Sequence, residues 1–185
     1  YFVNIIEILI QAMENESLGP KGHFMKLARL STQIGNKLGI TGKDYNNLYY
    51  ASLLHDIGKI KVSGKIDISF KAKDNFHLLQ NEISLHPIVG ANMLKQINLF
   101  KDIVPIVKHH HENYDGTGYP DGLSGEEIPL ASRIIAVVED YSKILYNEYI
   151  ENSYEKNKAL SKFFSFAGTK YDPKIIAVLK EIIRV

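Results

Sequence analysis

The chain has 185 residues, 45% of them apolar and 23% charged, with a formal net charge of +1. That is enough for one domain with its own core, and the near-neutral balance gives no electrostatic footprint for a DNA or RNA polymer. Cysteine is absent, which excludes disulfides and thiolate metal sites and fits a cytoplasmic protein, and no apolar run reaches the length of a membrane span.

Residues 1–18 read as a leading helix with Ile5, Leu9 and Met13 on one stripe. Starting at Tyr1, it reads as a helix cut at its front, so the chain is expected to be one domain of a longer protein. Its apolar face is open to a missing domain or to a second copy of the chain as a homodimer. Leu27, Leu30, Ile34 and Leu38 predict a second helix ending near Gly39. Thr41 is a plausible N-cap for a third, which carries Tyr49, Leu53 and Leu54 into His55-Asp56. Residues 60–76 have no clear period and many lysines, as in a surface loop. Helical patterns resume at 78–85 and 88–97, separated by Pro87, and again at 101–112. Residues 113–129, rich in Gly, Pro and Asp, predict a structured loop. A long helix over about 131–146 follows, and the C-terminal region 147–185 holds two more, near 154–167 and 173–183. With no convincing strand or repeat, the expected fold is all-α, a single compact helical bundle over 1–185.

Two pairs of neighbours carry the chemistry: His55 beside Asp56, and His110 beside His111. Neighbours on a helix point about 100° apart, so each pair suits two nearby ions better than one. A two-metal hydrolase needs such an arrangement, with ions about 3.5–4 Å apart. Helix register turns His23 toward the core, in line with Leu27 and Leu30. His86 precedes Pro87 at a helix break, and His110 and His111 continue the stripes of Ile103, Val104 and Val107. His109 and His77 read as surface residues. One inward histidine is more often a hydrogen-bonded core residue than a ligand. Five of them with Asp56 are costly to bury without partners, and a metal centre resolves that cost. On the long helix Glu139 lies beside the apolar stripe, whereas Asp140 shares a face with Arg133 and Lys143 and reads as a surface ion pair. Histidine and carboxylate without sulfur suit iron, manganese, zinc, nickel or cobalt rather than calcium or magnesium.

These segments resemble the HD-GYP family of the HD phosphohydrolases. The resemblance runs from Gly22-His23 through Leu53-Leu54-His55-Asp56-Ile57-Gly58-Lys59, His86-Pro87-Ile88-Val89-Gly90 and the stretch from His110 to Pro120. It continues through Ile128-Pro129-Leu130-Ala131-Ser132-Arg133 to Glu139, with a weaker echo at Ala167-Gly168-Thr169-Lys170-Tyr171-Asp172-Pro173. It implies an HD-type bundle that hydrolyses the bacterial messenger cyclic di-GMP to linear pGpG or GMP, with a metal-bridged hydroxide as nucleophile. Carried over, His23, His55, Asp56, His86, His110, His111 and Glu139 match metal ligands. Asp56 is the bridging carboxylate, Lys59 a catalytic contact to substrate phosphate, and Gly118, Tyr119 and Pro120 the substrate loop. Tyr119 is equally open to packing that loop. Such domains are often joined to sensor or receiver domains.

The match has departures. Glu139 stands where the family usually has Asp, and Ser142 where a second Asp is usual. Glu148 and Glu151 take positions where relatives carry phosphate-holding bases, with Lys143, Lys156 and Lys158 the candidates to compensate. Gly19 replaces a Glu that supports a third metal in some relatives, so two metals are expected, with iron or manganese favoured. A related phosphohydrolase with another nucleotide substrate, or a degenerate domain that binds ligand or partner without turnover, are the alternatives.

Overall fold

In a computed structural model of the protein, residues 2–15, 22–60, 82–146 and 152–184 are described. Among them eight α-helices and no strands are found. They are α1 (Phe2–Asn15), α2 (His23–Lys37), α3 (Gly42–Leu54), α4 (His86–Lys95), α5 (Val104–Lys108), α6 (Leu130–Leu145), α7 (Ser153–Ser165) and α8 (Pro173–Ile183). Short 3₁₀ turns lie at Glu82–Leu85, Asn98–Ile103 and Gly125–Glu127. The expected lysine-rich loop lies almost wholly outside the described residues, as do His77, Gly19, Glu148 and Glu151.

Helix α2 is the central element, packing on α3, α6 and α8, while α4 and α5 pair beside α3. Phe24, Leu27, Ala28 and Ile34 of α2 meet Leu48, Leu53 and Leu54 of α3 and Ile134, Val137 and Val138 of α6 in one continuous core. Burying a side chain of this size is worth about 1.5–3 kcal/mol, so this shared core fixes the places where α3, α4 and α6 present polar groups. Residues 22–146, where these helices lie, hold every candidate ligand.

Three expectations need correction. The buried stripe of α1 is Ile6, Ile10 and Met13, with Ile5 exposed. Both stripes pass through Met13, and only the arc that packs on α3 is covered. Pro87 does not separate two helices: it sits in the first turn of α4, where its missing N–H costs nothing, and His86 opens that helix. The expected helix over 101–112 is a 3₁₀ turn followed by a five-residue α5 that ends at Lys108. His109, His110 and His111 lie on the turn beyond it.

Two cross-links hold the C-terminal helices to the rest. Asp172, the N-cap of α8, accepts from Lys174 N at 2.8 Å and pairs with Arg133 Nη1 of α6 at 2.6 Å. The turn before α8 then pins the loop that follows the histidines. Tyr114 N donates to Lys170 O at 3.1 Å and Asp115 N to Thr169 O at 2.8 Å.

Candidate metal centre

Helix α3 ends at Leu54, and the following turn projects His55 and Asp56 inward. His55 Nδ1 donates to Ser52 O at 2.9 Å. A carbonyl only accepts, so the proton sits on Nδ1 and Nε2 is turned into the protein interior. His110 does the same from its own turn, with Nδ1 donating to Val107 O at 2.6 Å. Both carbonyls belong to the backbone, so no side-chain signal in the sequence announces them. Fixing the outer nitrogen of a ligating histidine in this way orients the ring and sets its tautomer.

Two triads of donor atoms result. One is His86, His110 and His111, and the other is His55, Asp56 and Glu139. His86 Nε2 lies 3.2 Å from His110 Nε2 and 3.2 Å from His111 Nε2. Two nitrogens each held about 2.0–2.1 Å from one ion, at tetrahedral or octahedral angles, would stand about 2.8–3.4 Å apart. Asp56 joins the triads: Oδ1 is 3.2 Å from His86 Nε2 and Oδ2 is 3.4 Å from His55 Nε2. His55, Asp56, His86, His110 and Glu139 are all buried. Among the described residues, His55 Nε2 and Asp56 Oδ1 are buried and have only each other's side chains and His86 within 3.2–3.4 Å, and His23 Nδ1 nearby is buried with no hydrogen-bond partner. Under-satisfied polar atoms around one cluster are costly unless a cation satisfies them. The donor set and its spacing therefore fit metal ions.

Electrostatics favours the same reading. Burial, reinforced by neighbouring His111 and His55, holds His110 far below the ordinary imidazole range, and burial brings His111 down to about 4. Both present neutral lone pairs at physiological pH. Burial would push the Asp56 carboxyl up, but the charge and hydrogen bond of His55, the hydrogen bond of His86 and the charge of Lys59 outweigh it, and Asp56 is ionised. Glu139 is also held below its ordinary value, where His111, His55 and Lys143 overcome burial and the charge of Asp56.

The remaining sequence candidates take distinct places. Lys59 Nζ donates to Asp56 Oδ2 at 2.6 Å from the rim of the site. Lys143 Nζ, one turn beyond Glu139 on α6, lies 2.7 Å from Glu139 Oε1 and 3.1 Å from Asp140 Oδ1. His23 sits at the start of α2, edge-on to Phe24, near the His55 triad but in neither triad. Asp140 forms the expected surface network, with Lys143, Lys170 and the Tyr171 hydroxyl. His109 is less exposed than expected: Nδ1 donates to Pro105 O at 2.8 Å and Nε2 lies 3.0 Å from Asp121 Oδ2, facing away from the triads.

The loop after His111 closes over that histidine. Tyr119 stacks on the His111 ring, with centroids 5.1 Å apart and planes 20° from parallel, and its N donates to His111 O. Gly118 is required by packing: a Cβ there would fall 2.2 Å from Asn113 N. Pro120 follows through a cis peptide bond. Glu112, within the His110-to-Pro120 stretch, is buried, and its Oε1 accepts from Asp121 N at 2.8 Å to hold the loop's far end. Gly58 acts similarly on the other side, where a Cβ would lie 2.0 Å from His86 O. Its bare backbone lets α4 approach the His55-Asp56 turn closely enough for the triads to meet.

A family profile described as the HD domain matches residues 7–175. The chain belongs to the HD-domain family and is related to the HD-GYP cyclic di-GMP phosphodiesterases. It is 27% identical over 175 residues to the cyclic di-GMP phosphodiesterase response regulator RpfG of Xanthomonas campestris, covering 92% of this chain and 45% of that protein. It is 29% identical over 185 residues to 3'3'-cGAMP-specific phosphodiesterase 3 of Vibrio cholerae, covering 100% of this chain and 40% of that one. This HD domain thus spans less than half the length of either relative. A solved Vibrio cholerae cyclic GMP-AMP phosphodiesterase, V-cGAP3, superposes with a TM-score of 0.74 at 18% identity over 97% of this chain and 48% of its own. The Bdellovibrio bacteriovorus protein Bd1817 does so with a TM-score of 0.64 at 24% identity over 88% of this chain and 52% of its own. These likenesses establish the HD fold, and with it the His/Asp clusters imply metal ions. Among the described residues no helix is long and apolar enough to cross a membrane.

Proposed function

We propose that this domain is a metal-dependent phosphodiesterase that hydrolyses cyclic di-GMP to linear pGpG or GMP. The observation that carries the reading is Asp56, a buried carboxylate with one oxygen toward the His86 triad and the other toward His55. Two ions would be held there by His55, Asp56, His86, His110, His111 and Glu139, with His23 adjacent. The all-nitrogen-and-oxygen donor set suits iron, manganese, zinc, nickel or cobalt alike, and the HD-GYP resemblance favours iron or manganese among them. When bound, the ions supply Lewis acidity and a lowered pKa for water at neutral pH.

The chain's own residues do the rest. The Ser52 and Val107 carbonyls hold His55 and His110 in the ligating tautomer. Tyr119 backs His111, and Gly118 and Pro120 set the loop that places it. Lys59, already beside Asp56, supplies positive charge to a phosphoryl oxygen as charge builds in the transition state. Helices α2, α3 and α6 pack behind His55, Asp56 and Glu139 and keep them buried, which strengthens the interactions those residues make.

A second reading differs only in substrate. The similarity to 3'3'-cGAMP-specific phosphodiesterase 3 spans the whole chain, so the mixed dinucleotide is the alternative. The test is turnover of both dinucleotides by protein loaded anaerobically with Fe(II) or Mn(II), with products separated by chromatography. Cyclic di-GMP should be converted faster, and Asp56→Ala should abolish conversion and release most of the metal. Faster conversion of 3'3'-cGAMP would install the second reading. Two bound metals with turnover of neither would reject both in favour of another phosphate ligand.

A further inference from the structure

We infer that Asp140 is a positioning residue of the metal centre: it takes over the Lys143 ammonium when a metal ion claims Glu139. The inference rests on the proposed ligand role of Glu139 and deepens it. Lys143 stands four residues after Glu139 and three after Asp140 on α6, the two spacings at which helix side chains meet. Its Nζ lies 2.7 Å from Glu139 Oε1 and 3.1 Å from Asp140 Oδ1, so one ammonium is shared by two carboxylates. The two differ in surroundings. Glu139 is 3% exposed, and one of its oxygens lies within 4.8 Å of donor atoms of both His55 and Asp56. Asp140 is 22% exposed and is fixed from its other side. Its Oδ2 accepts from the Tyr171 hydroxyl at 2.9 Å and from Lys170 Nζ at 2.7 Å. Tyr171 is itself buried against Phe163, with ring centroids 4.8 Å apart, and Lys170 O belongs to the turn that anchors the loop after the histidines.

A divalent cation on Glu139 repels an ammonium at such range, so the Lys143 contact has to open when the ion arrives. The Lys143 side chain is 55% exposed and its four-carbon stem is flexible, which gives it room to turn. Asp140 Oδ1 offers a destination already in contact. Because Oδ2 is held by two donors, this carboxylate stays in place instead of following the lysine inward. The ammonium thus keeps an anionic partner through metal capture, and Glu139 is released to the ion. With Asp140 neutral, Glu139 is the carboxylate of the pair left to the lysine, and ion and ammonium compete for it. The exchange also accounts for Asp140 being held by Lys143, Lys170 and Tyr171 although it lies in neither triad.

The experiment titrates Mn(II) into the whole chain and reads the free ion by electron paramagnetic resonance. Asp140→Asn should weaken Mn(II) binding about tenfold. Lys143→Met should bind the ion at least as tightly as the parent, and adding Asp140→Asn to Lys143→Met should cost no more than about twofold. Tyr171→Phe, which keeps both charges but loosens Asp140, should show the same dependence on Lys143 with a loss of about threefold, and it decides the matter if Asp140→Asn fails to fold. Full affinity in Asp140→Asn, an equal loss with and without Lys143 in either variant, or weaker binding by Lys143→Met would each overturn the inference. The equal loss would reduce Asp140 to a distant negative charge or a strut of the fold. If Glu139→Gln binds Mn(II) as tightly as the parent, Glu139 is not a ligand, and the proposed ligand set fails together with this inference.

Discussion

Tyr119 touches the site through a ring face, and that contact separates two roles open to it. Its stack on His111 is worth about 1 kcal/mol, and its hydroxyl takes no part in it. Tyr119→Phe should therefore retain metal affinity, whereas Tyr119→Ala should weaken Mn(II) binding about tenfold by freeing His111, as read by competition with a chelating dye. A rise in KM for Tyr119→Phe at unchanged metal content would add a hydroxyl contact to substrate. At this scale much of the site could be read from sequence. His55 beside Asp56 and His110 beside His111 are adjacent in the chain, and the folded chain brings the same residues into one cluster. Glu139 was separable from Asp140 because the apolar stripe of α6 passes beside it. The residues that escaped notice work through their backbone or the lack of a side chain. Ser52 and Val107 offer carbonyls, and Gly58 and Gly118 offer space. The carbonyls' roles appear only once the local turn three residues before each histidine is formed, and the glycines' only once the backbone they face is in place.

Helix placement depends on a few tight crossings and caps. Gly58→Ala would drive a methyl into the His86 carbonyl, with no flexible side chain to yield. It should cost about 3 kcal/mol and lower metal content as well, as measured by chemical denaturation and elemental analysis. Asp172 is both the α8 cap and the partner of Arg133, whose side chain is only 11% exposed. Asp172→Ala should destabilise the metal-free protein by about 3 kcal/mol. Asp172→Asn, which keeps an oxygen for the cap, should cost less, and equal losses would assign the effect to the ion pair alone. Most helices were legible because their apolar residues repeat at helical spacing and their ends carry Gly39, Thr41 or Pro173. The stretch from Asn98 to His111 was not. Its 3₁₀ turn advances three residues per turn instead of 3.6, so a stripe extended through it drifts off register. The histidines then leave helical geometry altogether.

For the molecule as a whole, the buried imidazoles link stability to pH. Burial, with nearby imidazoles, holds His23 and His110 below the ordinary 6.5, and brings His111 to about 4. Between those limits the unfolded chain takes up protons that the folded one refuses. The metal-free protein should therefore lose stability as pH falls from about 6.5 to about 4. His55 acts in the opposite sense. Burial pulls it down, but the charge and hydrogen bond of Asp56 raise it. Its contribution is complete below about 6.5 and is lost as pH rises through its folded pKa. Asp56 and Glu139, held down, add stability that disappears only in stronger acid, as pH falls through their folded pKa values. Thermal melts of metal-free protein from pH 8 to pH 4 would show the slope, and a flat profile below pH 6.5 would contradict it. Added Mn(II) should raise Tm more at pH 8 than at pH 6, because ligation competes with protons.

The two hydrogen bonds from Tyr114 and Asp115 to Lys170 and Thr169 also set an order of events during synthesis. As the chain leaves the ribosome, His55 and Asp56 emerge early and α6 delivers Glu139 later. The loop that carries Tyr119 against His111 still lacks its anchor until residues 169–172 have followed. A nascent chain stalled just before that turn should own every donor atom and yet hold manganese loosely. Tight metal capture would then mark a domain whose translation is essentially finished.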